Sequence, residues 1–182
     1  MIALRDVRHG DREMIRNWRN SPDVAKHMYS DHHITPEEHG RWFVRIMNDA
    51  TCRYWVIICD GVDVGLADIY DLDERNRRGY WAFYVANPSV RGKGVGSFVE
   101  YSVMRYAFDE LGLNKLYCEV LAFNAQVVNM HKSFGFQQEG ILREHIFKGG
   151  QPFDIVVLAI LHKEWEVRRP QIEERLRTRG LL

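Results

Sequence analysis

The chain has 182 residues with 46% hydrophobic content, enough for one domain with a true core and too few for two of ordinary size. Lys plus Arg and Asp plus Glu number 25 each, which excludes both a global basic field for nucleic acid and an acidic excess typical of disorder. No apolar run approaches the ~18 residues of a membrane span, and Cys52, Cys59 and Cys118 lack zinc spacing; a cytoplasmic protein with reduced core cysteines and no metal is expected.

In chain order, Ile2 to Val7 is a predicted first strand without signal-peptide character. Asp11 to Asn20 reads as a helix with Met14, Ile15 and Trp18 on one face, and Ser21-Pro22-Asp23-Val24 restarts helix. Thr35-Pro36-Glu37-Glu38 is a capping box that opens a helix with core stripe Trp42, Phe43, Ile46 and Met47. Arg53 to Cys59 and Val64 to Tyr70 are strands joined through the hairpin signal Asp60-Gly61. Gly79 to Ala86 is a third long strand, stopped by Asn87-Pro88. Later, Lys115 to Leu121 reads as a buried strand, and an amphipathic run after Asn124 ends in Phe134-Gly135-Phe136. Phe136 to Phe147 and Phe153 to Leu161 bracket Lys148-Gly149-Gly150 as a second hairpin. From Lys163 the chain is charged and interrupted by Pro170, which predicts a surface helix outside the main domain; domain bounds of 1–165 and 166–182 follow.

Between the third strand and the next helix lies Val90-Arg91-Gly92-Lys93-Gly94-Val95-Gly96-Ser97. Three glycines let the backbone approach a ligand without Cβ interference, and the following helix offers free amides to an anion. A Walker A loop fails because Gly94 stands where Ser or Thr would hold magnesium, and a dinucleotide fingerprint fails at Ser97. A purely structural strand-to-helix turn remains open on these residues alone.

Arg91-x-x-Gly94-x-Gly96 resembles the acetyl-CoA motif of the GNAT N-acetyltransferase superfamily. The strand Lys115 to Leu121, Asn124 and the helix ending in Gly135-Phe136 resemble the second half of that cofactor site. The resemblance implies an α/β fold with a mixed, mostly antiparallel central sheet, flanked by helices and split at a V-shaped acetyl-CoA cleft. It places acetyl-CoA against Phe83 and Val85, along Arg91, Gly92, Lys93, Gly94, Val95, Gly96 and Ser97, and near Asn124, Asn129 and Lys132. Val127 departs from the Ser common among relatives. Within the superfamily, Ile15 to Asn20, Ile34 to Trp42, Tyr80 to Tyr84 and His131 to Phe136 look most similar to the sugar-nucleotide N-acetyltransferases of the pseudaminic acid pathway, which serves flagellin glycosylation.

A protonated amine cannot attack a thioester, so a base must take its proton. The resemblance puts a catalytic carboxylate at Glu119, acting directly or through one water; pointing to solvent or pairing with a cation is the alternative. The departing CoA thiolate needs a proton, and His131 occupies the position where many relatives carry tyrosine. A raised imidazole pKa, supplied by a nearby Glu119, would suit that role; hydrogen bonding to the cofactor alone is the alternative, and Tyr84 and Tyr117 are further candidate donors. No cysteine shows the His and acid context of an acyl-enzyme nucleophile, so direct transfer in a ternary complex is expected. Arg16, Asn17, Arg19 and Asn20, with Met28, His39, Trp42, Tyr80 and Trp81, are the candidate acceptor pocket: arginine forks read phosphate and aromatics stack on a base or sugar. The expected partner is a small sugar nucleotide. A protein N-terminus or a polyamine is the alternative, the latter needing an acidic lining such as Asp68, Asp71, Asp73 and Glu74, and a non-catalytic CoA-binding module is the third reading. Oligomeric state is not readable from the sequence.

Overall fold

The computed structural model describes residues 1–182. Seven strands form one sheet in the order β1-β2-β3-β4-β5-β7-β6. They are β1 (Ile2–Asp6), β2 (Arg53–Cys59), β3 (Val62–Asp73), β4 (Arg78–Val85), β5 (Lys115–Leu121), β6 (Gln137–Lys148) and β7 (Gln151–Leu161). All neighbours pair antiparallel except β4 and β5. The helices are α1 (Arg12–Asn20), the single turn α2 (Pro22–Ala25), α3 (Pro36–Asn48), α4 (Val95–Arg105), α5 (Ala125–Ser133) and α6 (His162–Thr178). No helix is long and apolar enough to cross a membrane.

The parallel pair shapes the molecule. A parallel connection needs a crossover, which α4 supplies. β4 and β5 bond only at Arg78↔Lys115, Gly79↔Leu116 and Tyr80↔Tyr117, and beyond those residues they diverge. Gly79 permits the close approach at the root, since a Cβ there would stand 2.9 Å from Leu72 and 3.2 Å from both Ile69 and Leu113. The result is a fork whose apex lies between Trp81 and Cys118, the first residues past the last pair.

Strand alternation sorts side chains to two faces. Ile57, Ala67, Ile69, Trp81, Leu116 and Cys118 join the main core beneath α4, α5 and α6. On the other face Val56 and Leu66 pack with Ile15 and Phe43 of α1 and α3. The Asp60-Gly61 turn has φ of 52° and 80°, the two left-handed residues a tight hairpin needs.

The predicted elements are present with shifted ends, the helical tail among them, and the tail differs in how it packs. α6 continues through Pro170 as one helix, and Trp165, Ile172 and Leu176 are buried in the main core. The expected boundary at 165 therefore does not divide the structure. Pro170 removes one backbone bond without ending the helix, because buried residues on both sides hold its axis. Abundant charge along this segment had hidden a narrow apolar stripe.

Candidate active site

The glycine segment closes one side of the fork. Gly92 and Gly94 adopt φ of 81° and 83°, and Gly94 is the N-cap residue of α4. The backbone N–H groups of Gly94, Val95, Gly96 and Ser97 have no partner within the protein, the donor array that an anion such as a diphosphate fits. Arg91 and Lys93 are exposed beside them, loosely paired with Asp23 at 3.4 Å and Asp60 at 3.5 Å. A Cβ on Gly96 would meet Met130 Sδ at 3.2 Å and Phe83 at 3.5 Å, so this glycine lets α4 close on β4 and α5. Gly94 faces inward: a Cβ there would strike Leu181 at 2.6 Å, past the end of α6. Val85 ends β4 opposite Gly65. Asn124 precedes α5 with its side chain making no cap bond, Asn129 is exposed, and Lys132 reaches Gln138 at 3.2 Å.

On β5, Glu119 and Cys118 point to opposite faces of the sheet. Glu119 accepts a 2.6 Å hydrogen bond from Tyr29 Oη, on the segment between α2 and α3. Burial first, and then Glu119, raise the Tyr29 phenol above its ordinary range. Tyr80 packs edge-on to Tyr117 at 5.2 Å and against Tyr70 at 4.5 Å, which gives this side of the fork an aromatic floor. The hairpin between β6 and β7 clamps the Tyr29 segment. Lys148 Nζ donates to the carbonyls of Ala25, Lys26 and Met28 at 2.7, 3.0 and 2.7 Å, and the Gly149 amide donates to Asp31.

His131 is 3% exposed and lies on the other face. Its Nδ1 is 2.9 Å from Glu100 Oε1 on α4, and its ring packs edge-on to Trp81 at 5.2 Å. Burial pulls the imidazole pKa down, but Cys118 and Glu100 outweigh it and the net shift is upward. Glu119 is not the source of that shift, because strand alternation carries it to the far face. Cys118 therefore does sit beside a histidine and an acid, contrary to the sequence expectation. The signal for Glu100 was present: a lone carboxyl amid Val99, Val103 and Met104, all buried on α4.

The acceptor candidates divide. Arg19 is part-buried, bonded only to Ser30 Oγ at 3.3 Å, with no carboxylate at ion-pair distance. Burial lowers its pKa, with Tyr84 and Asp68 opposing. Arg16 pairs with Glu13 at 3.0 Å, and Asn17 is exposed. Asn20 spends its amide on the backbone of Ile34, donating at 2.9 Å and accepting at 2.8 Å, so it ties α1 to the next segment. His39 is buried against Trp42 with both ring nitrogens unpartnered, and burial lowers its pKa. Trp42 also packs on Tyr54, Met28 is half-buried, and Tyr80 lines the fork. Trp81 is a correction: fully buried and stacked on Phe83, it belongs to the core because its position in β4 points toward α4 and α5. The proposed acidic lining is thin. Burial pushes Asp68 up to about 8, Asp73 is held by Asn76 and Arg78, and Asp71 and Glu74 stand exposed.

Sequence alone did not single out Tyr29, Lys148, Glu100 or Leu181. The first two meet their partners across 90 and at least 120 positions, where no local pattern reaches.

Known proteins resemble this chain over most of its length. The spermidine N(1)-acetyltransferase of Escherichia coli K12 is 24% identical over 164 residues, covering 90% of this chain and 88% of that protein. The acetyltransferase PseH of Campylobacter jejuni is 27% identical over 124 residues, 68% of this chain and 75% of that protein. The crystal structure of the Vibrio cholerae spermidine N-acetyltransferase in complex with CoA and spermine superposes with a TM-score of 0.84 at 23% identity, covering 91% of this chain and 98% of that one. The acetyltransferase (GNAT) domain matches residues 2–137, through the forked strands, the glycine loop and the helix after Asn124, and the chain belongs to that family as an acetyl-CoA-dependent N-acetyltransferase.

Proposed function

We propose that the acceptor is the 4-amino group of a UDP-linked 4-amino-4,6-dideoxy sugar, acetylated by direct transfer in pseudaminic acid biosynthesis. Arg19 is the observation that carries this reading. A part-buried guanidinium without a carboxylate partner, beside the Tyr29 segment that leads to Glu119, suits an anionic acceptor and repels a polycation. His39, buried with two unpartnered nitrogens on the same helical layer, has capacity for the same ligand.

Each residue then has a task. The free amides of Gly94 to Ser97, with Arg91 and Lys93, bind the diphosphate of acetyl-CoA, which supplies the activated acetyl thioester. Phe83 and Val85 wall the fork, and Asn124, Asn129 and Lys132 line the α5 side. Tyr29 holds Glu119 by one carboxylate oxygen and leaves the other to take the amine proton, directly or through water. His131, on the opposite side of β5, returns a proton to the sulfur as the C–S bond breaks. Base and acid on opposite faces cannot neutralise each other.

A second reading is polyamine acetylation, and the comparisons weigh toward it: spermidine acetyltransferases match this chain over more of its length than PseH does. Asp71 and Glu74 are exposed, as are Asp31 and Glu37 on and beside the segment that carries Tyr29, and carboxylates of this kind would be open to such a substrate. Thiol release with the UDP-linked 4-amino sugar, the free amino sugar, spermidine and an N-terminal peptide separates these readings. The sugar-nucleotide proposal expects the UDP-linked compound to be preferred by about tenfold or more, because remote contacts orient the amine. Equal rates with and without UDP, or preference for spermidine, reject it.

A further inference from the structure

We propose that Glu100 is a positioning residue that holds His131 in the orientation and charge state needed to protonate the departing thiolate of CoA. The proposal deepens the reading of His131 as proton donor and rests on it. Three observations meet. The Glu100 carboxylate and His131 Nδ1 are 2.9 Å apart, in a pair whose side chains are 0% and 4% exposed. With Nδ1 committed to Glu100, Nε2 is the nitrogen that faces the Cys118 thiol. The ring packs on Trp81 and neighbours Cys118, and those are the residues on either side of the fork apex. This second nitrogen, beside Cys118, therefore lies at the apex, where β4 and β5 diverge.

The surroundings define the charge. Glu100 faces His131 from α4, Cys118 faces it from β5, and Arg175 of α6 acts on Glu100 from behind. Burial raises Glu100, against the pull of His131 and Arg175. A buried carboxylate without a cation is costly, and a buried imidazolium without an anion equally so; each makes the other's charged form tenable. The second Glu100 oxygen has no partner in the protein, so the carboxylate is spent on His131 alone. In the reaction the uncharged amine nitrogen forms the C–N bond and gives one proton to Glu119, while the C–S bond breaks and its electron pair takes one proton from His131 Nε2. The imidazole left behind keeps its Nδ1 proton on Glu100 and recovers the other from water. From the free-base amine one thiol and one amide form with no net change in protons, and an acceptor that arrives as an ammonium sheds its extra proton to solvent before attack.

The test uses the full chain. In the wild-type enzyme, nitrogen NMR of the His131 ring should report an imidazolium persisting above about pH 8. A ring that is neutral below about pH 7 overturns the proposal without any variant. Glu100→Gln keeps size and an acceptor oxygen but removes the charge. It should lower kcat by about tenfold or more and move the basic limb of the kcat profile to lower pH, with acetyl-CoA KM within about twofold. Glu100→Asp should recover part of that loss. Unchanged kcat and profile in Glu100→Gln, with a large loss in His131→Phe, overturns the positioning role alone. Full activity in His131→Phe overturns the donor reading and the positioning role with it.

Discussion

Tyr29 donates a 2.6 Å hydrogen bond to Glu119 across 90 positions of sequence, joining the segment between α2 and α3 to the strand at the fork. If Glu119 is the base, this phenol fixes which oxygen faces the amine. Glu119→Gln should lower kcat by about a hundredfold, and Tyr29→Phe should lower acceptor kcat/KM by about three- to tenfold, both with acetyl-CoA KM nearly kept. Steady-state kinetics on folded variants decide, and wild-type rates in Glu119→Gln remove the base assignment.

The contact between Gly94 and Leu181 gives the loop glycine a structural reason. Gly180 at φ 66° ends α6, and the Leu181 amide returns to the Leu176 carbonyl, a capping turn that aims Leu181 at the loop. Gly94→Ala adds a Cβ that meets Leu181 and forces a left-handed alanine, which costs about 1 to 3 kcal/mol in the backbone alone. The steric part should vanish in a Leu181→Ala background. Urea denaturation of the four proteins should show a coupling of about 0.5 to 1.5 kcal/mol; additivity within about 0.3 would mean that Leu181 yields freely.

Lys148 caps three carbonyls at the end of α2 and pins the segment that carries Tyr29. Lys148→Met removes these charge-assisted bonds and should cost about 1 to 3 kcal/mol of stability. The acceptor KM should rise and the acetyl-CoA KM should not, because the glycine loop lies on the other side of the fork. A parallel rise in both would show that the hairpin supports the whole cleft.

Asp68 is buried beneath α1 with one oxygen unpartnered, and burial pushes its carboxyl up to about 8. Its folded pKa lies above the unfolded one, so the native chain binds the proton more tightly. The associated stability is full below the unfolded value of about 4 and is lost as pH rises through about 8. Asp68→Asn should therefore match or slightly trail the wild type near about pH 4 and exceed it by more than about 1 kcal/mol at pH 8. Chemical denaturation at both pH values checks the sign, and a constant difference between the two proteins would refute it.

The sequence by itself determined the order of strands and helices along the chain, the hairpins, the glycine loop and the strand that carries Glu119, because each depends on neighbours within a few residues. Periodicity marks the buried face of a strand, glycine marks a left-handed turn, and the resemblance to the GNAT motifs implies the two walls of the cleft. Tertiary structure decided which groups meet. Alternation along β5 sent Glu119 to Tyr29 and Cys118 to His131, and only the packing of α4 against α5 brought Glu100 to the imidazole. Charge along α6 concealed the seven- and four-residue steps from Trp165 to Ile172 to Leu176 that seat it in the core. Trp81 looked available as an aromatic on a strand at the cleft, yet the direction of one Cα–Cβ bond put it inside. Such outcomes depend on which face of the sheet each helix covers, and that is settled by packing across the whole chain.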